Sequence, residues 1–249
     1  MSDPVLYIFS ISHFCEKARW SLDYYGIAYQ LEILVPGTHT IFARKLGLPR
    51  SSLPILVTGK EVIQGSSAII DWADQHANTD KPSLNPVDDL DQAADIERRL
   101  DDLAGVHLRR LFYSEALVEH PETVKPVFAE GLSLLNKIKL SLMWPIVRKK
   151  MIALMDLGAE QGLQSKAILE KELDWLDGLL SGNRPYLIGA SFSRVDLTAA
   201  SLLARLAGPA EHPAQGHFKL PPRAQRIAAR WNQRPVMQWV IALYAEHRY

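Results

Sequence analysis

The chain has 249 residues, a length that suits one large domain or two ordinary ones. Its 28 basic and 28 acidic residues cancel, so it lacks the cationic footprint of a nucleic-acid binder, and no nucleic-acid partner is expected. A composition 47% apolar and 22% charged excludes a disordered chain; the single cysteine, Cys15, excludes an internal disulfide framework and fits a reducing, cytoplasmic compartment.

The opening MSDPVLYIFS has no basic segment ahead of its apolar residues and does not read as a signal peptide. Residues 5–9 (Val-Leu-Tyr-Ile-Phe) read as a buried strand. Glu16 to Tyr25 reads as a helix closed by Gly26 at C′, and Tyr29 to Val35 as a second strand, giving a βαβ unit. A loop with Pro36, Gly37 and Pro49 follows. Leu53–Val57 and Glu61–Ile63 then flank Thr58-Gly59-Lys60 as a hairpin, and Ser66–His76 forms a helix with Ser66 as a candidate N-cap.

From Ala77 to Asp91 the composition turns to Pro, Asn and Asp, which marks a linker. The expected division is therefore a first domain over 1–77, a linker over 78–91 and a second domain over 92–249. Beyond the linker only helical periodicity is present, as in Leu169, Leu173, Leu176 and Leu180, or in Phe128, Leu132, Leu135, Ile138 and Leu142 before a break expected at Pro145. The second domain is predicted to be all-α. The apolar stretch 132–157 is interrupted by Lys137, Lys139, Arg148, Lys149, Lys150 and Asp156, so no run approaches the roughly 20 residues of a membrane span. Arg148-Lys149-Lys150 reads as a solvated helix face or, more sharply, as a membrane-surface patch. His212 and His217 lack Cys or acidic partners at ligand spacing, so no metal is expected.

Three short stretches stand out: Ser10-Ile11-Ser12-His13-Phe14-Cys15 where the first strand feeds the first helix, Ser52-Leu53-Pro54-Ile55 entering the third strand, and Gln64-Gly65-Ser66-Ser67 opening the last helix of the first domain. Through these motifs the chain resembles the glutathione transferase superfamily over nearly its whole length. The resemblance implies a thioredoxin-like N-terminal domain (βαβ-ββα, mixed four-stranded sheet) and an all-α C-terminal domain. It also implies glutathione as co-substrate, a small hydrophobic electrophile as acceptor, and a homodimer.

Residue by residue, the resemblance places Ser12 where the superfamily contacts the glutathione sulfur, with His13 where Pro is common and Phe14 matching. Cys15 falls where glutaredoxin-like relatives keep a second Cys. The thiol ionises near the reference value of about 8.5, and lowering it by two units takes about 2.7 kcal/mol. One hydrogen bond to a charged sulfur, roughly 1.5–3 kcal/mol, plus a helix N-terminus at roughly 0.3–1 kcal/mol, is sufficient. Read from spacing alone, Ser12 is equally a helix N-cap, and the two roles are compatible. Cys15 is either a low-pKa thiol for thiol-disulfide or lyase chemistry, or an inert core residue.

Pro54 resembles the fold's cis-proline, which leaves the backbone of Leu53 to pair with a peptide. Ser66, with Ser67 beside it, matches a γ-glutamyl carboxylate binder at a helix N-terminus. Gly65 departs from the family's acidic or amide residue, leaving Gln64 to meet the ligand's amino group, and Ser52 stands where Lys is common, leaving Arg50 for the glycine end. Arg109, Arg110, Phe112 and Tyr113 occupy a helix that the resemblance turns toward the cleft, where Arg109, Phe112 and Tyr113, with Phe14, form a second-substrate pocket. Ser193 and Asp196 fit a capping box, each worth on the order of 1 kcal/mol. A third reading, a scaffold that binds protein or membrane without catalysis, follows from Gly65, Ser52 and the apolar, basic stretch 132–157.

Overall fold

The structure, a computed structural model, describes residues 3–85, 90–214 and 220–248. Strand β1 (Val5–Ile8) buries Leu6 and Ile8 and lies at the centre of the sheet, pairing in parallel with β2 (Gln30–Ile33) and antiparallel with β3 (Ile55–Val57). The hairpin partner β4 (Val62–Gln64) completes the order β2-β1-β3-β4. Helix α1 (His13–Tyr24) starts three residues before the expected Glu16, because Ser12 caps it: its Oγ accepts from the Cys15 N–H at 3.3 Å. Gly26 closes the helix region at φ 64. The stretch expected to be loop contains a short helix, α2 (His39–Lys45), which buries only Ala43 and therefore carries no apolar period to be read. Helix α3 (Ser66–His76) has the expected bounds, but its N-cap is Gly65 and not Ser66, which is already the first helical residue and makes no side-chain cap bond. This is a thioredoxin-like unit, and a helical domain follows it.

Of the expected linker, Pro86 to Asp89 lie outside the described residues. The part before them is fastened down: the Leu84 N–H donates to the Tyr25 hydroxyl at 2.7 Å, and its carbonyl accepts from the Arg194 N–H at 2.8 Å. Helix α4 (Leu90–Arg99) then runs through a π-helical turn, Leu100–Gly105, into α5 (Val106–Ala116). Helices α6 (Pro121–Phe128), α7 (Leu134–Leu154), α8 (Ala159–Leu179), α9 (Arg194–Ala207), α10 (Pro222–Trp231) and α11 (Pro235–His247) complete the domain. Helix α9 packs against both α1 and α11, so Leu6, Trp20 and Ile69 share one continuous core with Leu197, Leu202 and Val240.

The apolar period read across 128–142 is corrected by the structure. Phe128 ends α6, Gly131 turns the chain at φ 71, and α7 restarts in a different phase. Leu140, Trp144 and Val147 point inward, while Leu135, Ile138 and Leu142 are 72%, 50% and 77% exposed. Nor does Pro145 break the helix: it and Ser141 are both exposed, so the Ser141 carbonyl, deprived of its donor, is open to water. Among the described residues no helix is long and apolar enough to cross a membrane.

A buried ion network ties the two domains together. Lys17 of α1 is fully buried, and its Nζ lies 2.7 Å from Glu97 Oε1, 2.9 Å from Asp101 Oδ2 and 3.2 Å from Ser67 Oγ. Glu97 also pairs with Arg194 at 2.7 Å, and Arg194 reaches Asp71 at 2.5 Å and Asn85 at 2.6 Å. One connected set of charges thereby spans α1, α3, α4, the π-turn and α9.

The capping box forms, with unequal weight on its members. Asp196 accepts from the Ser193 N–H at 2.9 Å, the Ser193 hydroxyl at 2.7 Å and the Leu187 N–H at 2.7 Å. Ser193→Ala should therefore cost about 1 kcal/mol. Asp196→Ala strands three buried donors and should cost at least about 2 kcal/mol. Urea unfolding of both variants checks this; equal losses would refute the asymmetry.

Two buried histidines set an acid limit. Desolvation, then nearby cations (Arg109 and Arg205 for His13, Arg205 and Arg248 for His212), bring both down to about 3 from 6.5. Between those values the unfolded chain binds more protons than the native one, so their contribution to stability is present above about pH 6.5 and is lost as pH falls toward 3. The drop in urea midpoint from about pH 7 to about pH 5 should shrink in a His13→Gln/His212→Gln double variant. An undiminished drop would exclude these residues as the cause.

Candidate active site

Sheet register brings the three sequence motifs to one edge. Tyr7 of β1 faces Ile55 of β3, and Ile55 faces Gln64 of β4, so the chain leaving β1, the chain entering β3 and the chain leaving β4 emerge side by side. The Ser12 N–H donates to the Phe9 carbonyl at 3.1 Å and the Gly65 N–H to the Pro54 carbonyl at 3.0 Å, which fixes two of these turns against the sheet.

Ser12 is half-buried at the positive end of α1. Its Oγ is the acceptor in the cap, a bond that does not use its own proton, and the Cys15 thiol also lies within hydrogen-bonding reach of it. It lines a cleft of about 240 Å³ together with Phe9, Ser10, Arg19, Ile33 and His212. Cys15 lines the same cleft, yet its residue is only 1% exposed, and burial pushes its thiol up to about 11. A thiol in that condition is almost wholly protonated at neutral pH, the reverse of a reactive cysteine. Phe14 does not meet Arg109, Phe112 and Tyr113 in a common cavity. Its ring packs on Gly105 of the π-turn, where an added Cβ would lie 2.7 Å from Phe14 Cζ and 3.2 Å from Leu202 Cδ2.

The Leu53–Pro54 peptide is cis, and among the described residues the Leu53 N–H and C=O have no hydrogen-bond partner. Gln64 Nε2 donates to the Arg50 and Ser52 carbonyls, both at 2.9 Å, which holds that loop and leaves Oε1 as an acceptor. Gly65 has φ 101, a conformation that strains any residue with a Cβ. The adjacent serines diverge. The Ser66 hydroxyl has no protein partner among the described residues, while Ser67 Oγ is drawn into the Lys17 and Asp101 network. Arg50 and Ser52 are exposed beside this edge.

On the other side of the β1–α1 loop, Arg109, Phe112 and Tyr113 line a small cleft with Ile11, His13 and Arg205. Arg110 turns away and pairs with Asp156. Sequence reasoning missed Arg205, whose Nη2 donates to the Ser10 carbonyl at 3.3 Å, and Lys17. Both act between segments far apart in the chain, and neither sits in a motif. His212 lies in the Ser12 cleft with Nδ1 accepting from the Ala214 N–H at 3.1 Å, and His217 lies outside the described residues. Among the described residues, no three His, Cys, Asp or Glu side chains gather into a metal-binding group.

The profile of the family described as "Glutathione S-transferase, N-terminal domain" matches residues 6–82. Comparison with curated proteins gives no match. Among solved structures, glutathione transferase GSTFuA2 from Phanerochaete chrysosporium superposes over 100% of this chain and 99% of its own, with a TM-score of 0.67 at 18% identity. The glutathione S-transferase CsGST63524 of Ceriporiopsis subvermispora, solved in complex with glutathione, covers 100% and 98% with a TM-score of 0.63 at 14% identity. Beta-etherase LigF from Sphingobium sp. strain SYK-6 covers 97% and 99% with a TM-score of 0.59 at 16% identity. Residues 6–82 thus match the N-terminal domain of the glutathione S-transferase family, and the chain as a whole shares the two-domain fold of these solved structures.

Proposed function

We propose that the protein is a glutathione transferase in which the domain of residues 1–77 holds glutathione and that of residues 92–249 receives the acceptor. The observation that carries this reading is the Ser12 hydroxyl: capping α1 as an acceptor from Cys15 N–H, it keeps its proton for a thiolate. The sulfur then attacks an electrophilic carbon, a C–S bond forms, and the leaving group departs with the bonding electron pair.

The rest of the tripeptide has complementary groups along the same edge. The unpaired Leu53 N–H and C=O suit the backbone of an extended peptide. The free Ser66 hydroxyl and the N-terminus of α3 suit the γ-glutamyl carboxylate, and Gln64 Oε1 suits its ammonium group. Arg50, on the loop that Gln64 pins, suits the glycine carboxylate. Ser67 serves the ion network instead. The buried, raised thiol of Cys15 favours packing over thiol-disulfide or lyase chemistry.

Calorimetric titration with glutathione should show binding in the micromolar to millimolar range; none at several millimolar would reject the reading. With an activated aryl halide as acceptor, Ser12→Ala should lower kcat/KM by about 10- to 100-fold, the value of one hydrogen bond to a charged sulfur. It should also move the rate profile to higher pH. If Cys15→Ala lost as much activity as Ser12→Ala, the role assigned to Ser12 would fall.

A further inference from the structure

Arg109 is a cation without an anion. It is half-buried on α5, and among the described residues it makes no hydrogen bond or ion pair. Desolvation weighs on its charged form, and the one neighbour that favours that form is Tyr113, a phenol that burial pushes up to about 12 and so keeps neutral. His13, across the cleft, is neutral as well. Arg205 differs, with Glu16 and Glu130 within electrostatic reach. A guanidinium drawn out of water normally meets a carboxylate, since an unpaired buried charge is costly.

The shape of the cleft narrows what is missing. Its volume is about 30 Å³. A space this small suits a compact planar head group such as a carboxylate. Phe112 and Tyr113 make one wall, Ile11 and His13 another, and Ser12 lies between those two in the chain. A carboxylate also matches the planar guanidinium fork, which a lysine could not reproduce.

We propose that this cleft is a carboxylate subsite, and that the electrophile receiving glutathione is an apolar or aryl compound bearing a carboxylate that Arg109 binds. The inference rests on the glutathione-transfer reading for its chemistry, but the subsite can be tested without turnover. In the reaction used as probe, the glutathione thiolate attacks the benzylic carbon of 4-(chloromethyl)benzoate, the C–S bond forms as the C–Cl bond breaks, and chloride leaves with the bonding pair while the thiol proton goes to solvent.

Binding of the unreactive 4-methylbenzoate and its neutral match 4-methylbenzamide should be titrated by calorimetry in the intact protein. The carboxylate should bind about 10- to 100-fold more tightly. That preference should vanish in Arg109→Gln and survive in part in Arg109→Lys. Equal affinity of the two ligands in wild type, or a preference untouched by Arg109→Gln, overturns the proposal. Turnover adds a second comparison: with glutathione, wild type should favour 4-(chloromethyl)benzoate over 4-methylbenzyl chloride in kcat/KM, chiefly through KM. Carboxylate binding with no turnover of either chloride would uphold the subsite and overturn the transferase reading; turnover of both without preference would do the opposite.

Discussion

Lys17 carries a charge into the interior with no exposed surface left to it, and the meeting of the two domains is organised around that charge. Its ammonium group is closed in by Glu97, Asp101 and Ser67, and Glu97 passes the connection on to Arg194. Such a network contributes little net stability compared with an apolar core, because desolvation cancels much of the attraction, but removing a single member leaves the others uncompensated. Its value is geometric. The network holds α1 against α3, the π-turn and α9 in one arrangement, and the N-terminus of α1 is where Ser12 sits.

The local charges form a consistent picture around that helix start. His13 is kept neutral by burial and by the very cations that flank it, so the positive potential comes from Arg109, Arg205 and the helix end itself. Glu16, the buried acid one turn into the helix, is occupied by Arg248 at 2.8 Å rather than turned toward the loop. The start of α1 is thus biased in favour of negative charge.

Much of this was legible in the sequence where the signal is local. The strands, the α1 and α3 helices and the Ser193 box are written in short runs of apolar residues and caps, and the three motif segments could be assigned to one sheet edge because register carries them there. What was not legible is non-local or compensated. Helix α2 buries one residue and has no period to find. The α7 face was misjudged because a turn at Gly131 resets the helical phase between Phe128 and Leu135, something a continuous count of apolar positions does not register. Among the site residues, the sequence does not show that the Gln64 nitrogen is committed to the Arg50 and Ser52 carbonyls, which leaves only its oxygen as an open group. Two consecutive serines looked equivalent; the burial of Lys17 separates them, recruiting Ser67 and leaving Ser66.

The contact between Gly105 and Phe14 links the interior of the helical domain to the start of α1. A methyl group in place of the Gly105 hydrogen would lie 2.7 Å from the Phe14 ring, with Leu202 at 3.2 Å closing the other side. Either the ring, two residues from Ser12 in the chain, or the π-turn would have to shift. Side-chain volume at positions 14 and 105 is therefore a shared quantity: one can grow only as the other shrinks. Divergent chains of this fold that enlarge the residue in the π-turn should carry a smaller residue beside the one that caps α1, a paired substitution in which the π-turn acts as a spacer set to the width of one aromatic ring.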